Sequence, residues 1–205
     1  MSQSAIDTVV FDLGNVLISF NPRWLYRKLL PDEAAIDRFF AETAFDAWNA
    51  QMDKGLSFAE GIAAQSARFP HYRPLFEAFF ERWNEAIGGA IPESLAVFQA
   101  LRQAGIRTYA LSNFSAETYP LAIRRFPFLL DFDGSVISGH ERVSKPDPAI
   151  YELLCNRYSI APERAVFIDD KLENVEAARR QGMQGIHFVD PSVLPLALRA
   201  LGLPV

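Results

Sequence analysis

Asp12 stands where a short apolar run, Val9-Val10-Phe11, stops, and Gly14 follows two positions on. A carboxylate at the end of a buried strand lies where open α/β sheets gather ligands, in the crevice beyond the strands' carboxyl ends. Taken alone, the pattern equally fits a turn, where Asp and Gly are both common. Ser112-Asn113 ends a second apolar run and Asp169-Asp170 a third. Between them, Lys145 is set among turn formers in Ser144-Lys145-Pro146-Asp147-Pro148. Neighbouring parallel strands point the same way, so these ends would meet at one edge of a sheet. The assembled group holds a carboxylate able to attack, a hydroxyl and amide pair, one cation and two further carboxylates. Three converging carboxylates repel one another without a counter-ion, and hard oxygen donors with room for water suit Mg²⁺.

The elements that must position these residues follow an α/β rhythm. Val9-Val10-Phe11 has the β-branched and aromatic content of a strand buried on both faces. From residue 92 onward helix and strand alternate, with helices predicted over 92–104, 115–125, 148–158, 172–181 and 191–201. Strands are predicted over 106–111, 132–138, 165–168 and 185–189. Gly105 and Gly182 stand where a helix C-cap is expected, and Pro120 is out of place inside a helix over 115–125. Such alternation implies a parallel sheet with helices on both faces. Residues 21–87 interrupt it with apolar residues at helical spacing and little that reads as strand. That stretch starts at Asn21-Pro22, carries a capping box in Ser57-Phe58-Ala59-Glu60, and ends in a helix over 74–85 with a Leu75, Phe76, Phe79, Phe80 stripe. Its reading is a helical cap inserted into an α/β core formed by residues 1–20 and 88–205.

Bulk composition restricts the partners. The chain has 205 residues, is 50% hydrophobic and 22% charged, and carries a net charge of −5 without a Lys/Arg cluster. Nucleic acid and anionic membrane are therefore poor partners, and no leader-like start or membrane-length apolar run is present. The expected location is cytoplasmic. Cys155, alone of its kind, reads as a small buried hydrophobe. The 17 phenylalanines fall on helical faces, which points to core packing rather than an aromatic binding surface.

The chain resembles the haloacid dehalogenase-like hydrolase superfamily. The resemblance rests on Phe-Asp-Leu-Gly-Asn-Val-Leu (11–17), Leu-Ser-Asn (111–113), Ser-Lys-Pro-Asp-Pro (144–148) and Phe-Ile-Asp-Asp-Lys-Leu-Glu-Asn (167–174), in the family's order and spacing. It implies a three-layer Rossmann-like fold and a phosphatase that works through an aspartyl-phosphate. On that pattern Asp12 is the nucleophile and, with the Gly14 backbone carbonyl and Asp170, a ligand of Mg²⁺. Asp169 is a further ligand or holds a metal-bound water. Ser112 and the Asn113 backbone N–H grip the phosphoryl group, and Lys145 neutralises charge on nucleophile and phosphoryl oxygens. Asn174 either orients this cluster or is a solvated helix residue. The implied partner is a small phosphorylated metabolite, with monomer and homodimer equally open.

One position departs from the pattern. Phosphatases of this superfamily usually carry a second aspartate two residues after the nucleophile, which protonates the leaving oxygen and later activates water. Here that residue is Gly14, and general acid–base help is worth ~10²–10⁴ in rate. Three readings follow. A phosphatase could act on a substrate with a good leaving group, such as a sugar 1-phosphate, and Gly14→Asp would then gain most on alkyl phosphates. A 2-haloacid dehalogenase needs no proton for its halide, and Ser112-Asn113 resembles that subfamily, but those enzymes use no metal and typically replace the fourth-motif carboxylates. A non-catalytic phosphate sensor is the third. In the cap, Trp48, Asp53 and Gly55 either face substrate from a turn or form a helix end with a core tryptophan. Arg23 reads as an anion contact or a solvated helix start. His71, His140 and His187 lack metal-ligand spacing, although His140 lies close to Lys145 in sequence.

Overall fold

The structure, a computed structural model, describes residues 5–205, so the first four residues of the expected core lie outside it. The strands are β1 (Thr8–Phe11), β2 (Ile18–Phe20), β3 (Ile87–Ala90), β4 (Arg107–Ser112), β5 (Gly134–Ile137), β6 (Ala165–Asp169) and β7 (Gln184–His187). Five of them form one parallel sheet in the order β5-β4-β1-β6-β7, with β1 at its centre. Side chains alternate across this sheet as a two-residue period requires. Val9, Phe11, Val166 and Ile168 enter a core shared with Val97, Phe98 and Leu198. Val10, Leu111 and Phe167 enter a second core with Tyr151, Leu154 and Ala178 on the other face. With both faces covered, β1 can be apolar throughout.

Register brings the polar strand ends together. Phe11 pairs with Ala110 and with Ile168, which sets Asp12 level with Leu111 on one side and Asp169 on the other. Chain order runs outward from β1 through β4 and β5, then returns to β6 and β7 on the opposite side. Open α/β sheets bind ligands at such a reversal.

Helices occupy most of the stretch between β2 and β3: Glu33–Thr43, Phe45–Asp53, Phe58–Arg68 and Arg73–Glu81. Asp32 accepts from the Ala35 N–H at 2.8 Å, and the capping box of Ser57 and Glu60 is complete. Phe39, Phe45, Phe58, Phe76 and Phe79 are all at most 1% exposed. They pack with Tyr26 and Trp48 at ring separations such as 4.9 Å (Tyr26–Phe39) and 5.1 Å (Trp48–Phe76). Burying each phenylalanine contributes about 1.5–3 kcal/mol. These five phenylalanines are packing residues.

Several boundaries differ from the sequence expectation. Ile18–Phe20 and Ile87–Ala90 pair as a two-stranded antiparallel ribbon that flanks the helical stretch, where no strand was expected. The helix expected over 115–125 is Tyr119–Arg125, because the Ser115 hydroxyl accepts from the Glu117 N–H at 3.1 Å and makes a turn instead of a cap. Pro120 thereby falls in the first helical turn, where its missing N–H costs nothing. The helix expected over 74–85 stops at Glu81 and gives way to a 3₁₀ turn, Trp83–Glu85. Phe132 stays out of β5 and packs at a tilt against Phe98, with ring centres 4.4 Å apart. Among the described residues no helix is long and apolar enough to cross a membrane.

Candidate active site

Three donors converge on one oxygen of Asp12, which is 7% exposed. The Leu13 N–H donates to Oδ1 at 2.7 Å, the Ser112 hydroxyl at 2.7 Å, and the Lys145 Nζ lies 2.9 Å away. Among the described residues none donates to Oδ2. Burial, opposed by Lys145 and reinforced by Asp169, holds the carboxyl above the ordinary range.

Lys145 is 4% exposed and bridges two strand ends, its Nζ also 2.6 Å from Asp169 Oδ2. Burial works against its charge, but Asp12 and Asp169 outweigh it and raise the ammonium above lysine's usual value. Its backbone is fixed from β4. The Asn113 amide donates to Lys145 O and accepts from Lys145 N, both at 2.9 Å. Asn113 therefore has a side-chain task besides the backbone role expected of it.

The adjacent aspartates of β6 divide. Asp169 is fully buried, and both its oxygens carry donors: Lys145 and Asn174 on Oδ2, the Lys171 N–H and Asn174 on Oδ1. It stands behind Lys145. Asp170 is half-buried and lines the same cavity as Asp12. Burial and the Asp169 charge raise its carboxyl, against Lys171 and Asn15. Asn174 is buried rather than solvated, and it donates to Asp169 while its Oδ1 has no partner among the described residues.

Asp12, Asp169 and Asp170 each offer a carboxylate oxygen, all within 4.8 Å of one another. This oxygen-only set suits a hard divalent cation. The orphaned Asn174 Oδ1 beside it is an acceptor that a coordinated water would satisfy.

Gly14 adds no side chain, and a Cβ built there would meet nothing within 4 Å. Asn15 follows in the left-handed region (φ 56°), which asparagine tolerates. Its Oδ1 accepts from the Phe20 N–H at 2.9 Å and its amide reaches toward Asp170 (3.5 Å). The cavity above measures about 560 Å³ and is walled by Asp12, Lys145 and Asp170 below and Asn49 and Asp53 above. An apolar recess of about 60 Å³ opens off it between Phe20, Phe58 and Trp83.

The residues singled out in the helical stretch separate in the same way. Trp48 is a core residue whose Nε1 donates to Gly61 O at 3.0 Å. Gly55 (φ 97°) lies so close to the Gly139 carbonyl that a Cβ would come within 3.0 Å. Asp53 lines both cavity and recess, and burial pushes its carboxyl up to about 7, with Lys171 opposing and Asp12 reinforcing. Asn49 donates to Asp53 Oδ2 at 3.1 Å. Sequence reading does not single out Asn49; its spacing of one helical turn from Asp53 is the available sign. Arg23 pairs with Glu33 and Asp37 away from the cavity, and His140 is exposed beside Tyr119. The Cys155 thiol is held above its usual value by burial.

A doubly wound parallel sheet with acidic and basic groups at its carboxyl edge defines a three-layer α/β protein. The family model for haloacid dehalogenase-like hydrolase matches residues 6–182, and the chain belongs to that family. A sesquiterpene phosphatase of Aspergillus oryzae is 33% identical over 107 residues, 52% of this chain and 54% of that protein. An (S)-2-haloacid dehalogenase of a Pseudomonas species is 23% identical over 177 residues, 86% of this chain and 74% of that protein. The chain spans about half or less of the length of the first curated relatives it matches. A solved structure of a HAD family enzyme from Bacteroides thetaiotaomicron, in its magnesium complex, superposes with a TM-score of 0.77 at 21% identity, covering 96% of this chain and 100% of that one.

Proposed function

We propose that this chain is a Mg²⁺-dependent phosphatase that transfers the phosphoryl group of a small phosphorylated metabolite to Asp12 and then to water. The observation that carries this reading is the Asp12 carboxylate, with Oδ1 held by three donors and Oδ2 left for attack. Ser112 and Lys145 fix its orientation, so little reorganisation remains for the reaction itself. The Asn113 backbone N–H and the Lys145 ammonium would take up charge on the phosphoryl oxygens, which a loose transition state rewards. Asp12, Asp170 and the Gly14 carbonyl would hold the cation, with Asp169 acting through Lys145 and Asn174. When bound, Mg²⁺ supplies positive charge against the transferring phosphoryl group.

Residues 21–87 act as the cap: they wall the cavity from above and select substrate while excluding water. A cavity of about 560 Å³ suits a metabolite-sized ester such as a sugar phosphate. The half-buried Asp170 in the cavity wall counts against a metal-independent dehalogenase. Hydrolysis of p-nitrophenyl phosphate in Mg²⁺ tests the reading. EDTA and Asp12→Asn should each abolish phosphate release, and release that survives both would overturn it.

A further inference from the structure

We propose that Asp53, reaching the cavity from the helical stretch, is the catalytic acid and base that Gly14 does not supply. The inference rests on the phosphatase reading and deepens it.

Gly14 opens onto space that no neighbouring atom fills. Gly14 and Asp53 line the same cavity and the same apolar recess, so the carboxyl missing from below faces one from above. The other acidic groups on the cavity wall are accounted for. Asp12 is the nucleophile, Asp170 belongs to the cation set, and Asp46 and Glu173 are exposed at the rim.

Asp53 is also held in place. Asn49 Nδ2 donates to its Oδ2 at 3.1 Å, and its backbone carbonyl accepts from the Ser138 hydroxyl. The turn that follows packs Gly55 against the Gly139 carbonyl. Its position is thus tied to the short helix Ser138–Glu141 after β5 as well as to its own helix. Burial and the nearby Asp12 keep its carboxyl near neutrality against Lys171, so acid and carboxylate forms are both accessible. A group that serves first as acid and then as base needs that balance.

The proton balance closes over two half-reactions. In the first, an Asp12 oxygen bonds to phosphorus as the bond from phosphorus to the ester oxygen breaks. Asp53 enters protonated and gives its proton to that oxygen, which leaves as an alcohol. In the second, a water oxygen bonds to phosphorus as the phosphorus–Asp12 bond breaks. The Asp53 carboxylate takes the water proton, phosphate departs, and the starting forms return. The substrate class then extends from good leaving groups to ordinary alkyl esters.

Leaving-group dependence in Mg²⁺ tests the proposal. Asp53→Asn should lower kcat/KM by ~10²–10⁴ on glycerol phosphate but by less than about tenfold on p-nitrophenyl phosphate. Slow dephosphorylation should also give a burst of p-nitrophenol equal to the enzyme present. Adding Gly14→Asp to Asp53→Asn should restore activity on glycerol phosphate. Equal losses on the two substrates, or a change in KM alone, would overturn the assignment. Gly14→Asp on its own provides a second test that does not depend on how Asp53→Asn folds. It should gain less than about threefold on glycerol phosphate, and a gain of a hundredfold would show that no acid was in place. Failure of the wild type on every phosphate ester, or full activity of Asp12→Asn, would sink the phosphatase reading itself. An active, Asp12-dependent enzyme indifferent to Asp53→Asn would sink this inference alone.

Discussion

Lys145 and Asn113 show how a loop residue can be placed as firmly as one on a strand. The Asn113 amide clasps both backbone polar groups of Lys145 across 32 residues of chain. Asn113→Ala should cost about 1–3 kcal/mol in denaturant unfolding, because two hydrogen bonds go and partly buried partners are left bare. It should also lower kcat on p-nitrophenyl phosphate more than it raises KM, and an unchanged kcat would reduce Asn113 to a packing residue. The four motifs made Asp12, Ser112, Lys145 and the Asp169-Asp170 pair legible from sequence, since each closes an apolar run or sits among turn formers. The family resemblance ranked the two aspartates, with Asp170 the direct ligand, but the residue pattern by itself does not. Successive residues at a strand end point to opposite sides, so one goes under the lysine and the other into the cavity. Which is which depends on register with β1, a property of two distant segments.

At the level of elements, the ribbon of β2 and β3 is the least expected feature. Its strands have three and four residues, and two glycines in β3 weaken any strand pattern. Pairing across some 70 residues, not local propensity, makes them strands. Arg125, at the end of the helix Tyr119–Arg125, braces this ribbon from the sheet side. Its Nη1 donates to Asn84 O (2.8 Å) and Ile87 O (3.1 Å), and its Nη2 to Gly88 O (2.7 Å). Arg125→Ala should therefore lower the melting temperature by roughly 2–4 °C for each kcal/mol lost and speed amide exchange over 84–90. The tryptophan emission should shift as well, because Trp24, Trp48 and Trp83 all fall within the helical stretch. Unaltered exchange would mean that strand pairing alone holds the ribbon.

Across the whole molecule, the parallel sheet and its covered faces were readable because helix and strand periods alternate cleanly after residue 92. The sequence left open whether Asp53 faces substrate or only ends a helix, since Asp53 and Gly14 come to line one cavity through tertiary packing that no local pattern encodes. The buried cluster adds a last consequence. Among the described residues Lys145 pairs with Asp12 and Asp169 and Lys171 acts on Asp170, so the three carboxylates, when ionised, still leave the cluster net negative. A phosphate dianion arriving first meets repulsion, and a divalent cation arriving first removes it. The two ligands are then thermodynamically linked, and each raises the affinity for the other by the same factor. Inorganic phosphate alone should leave the melting temperature where it was, but raise it once Mg²⁺ is present. An equal shift without the cation would show that the two bind independently. On this account the order of arrival is written into the charge of the strand ends: metal first, phosphate second.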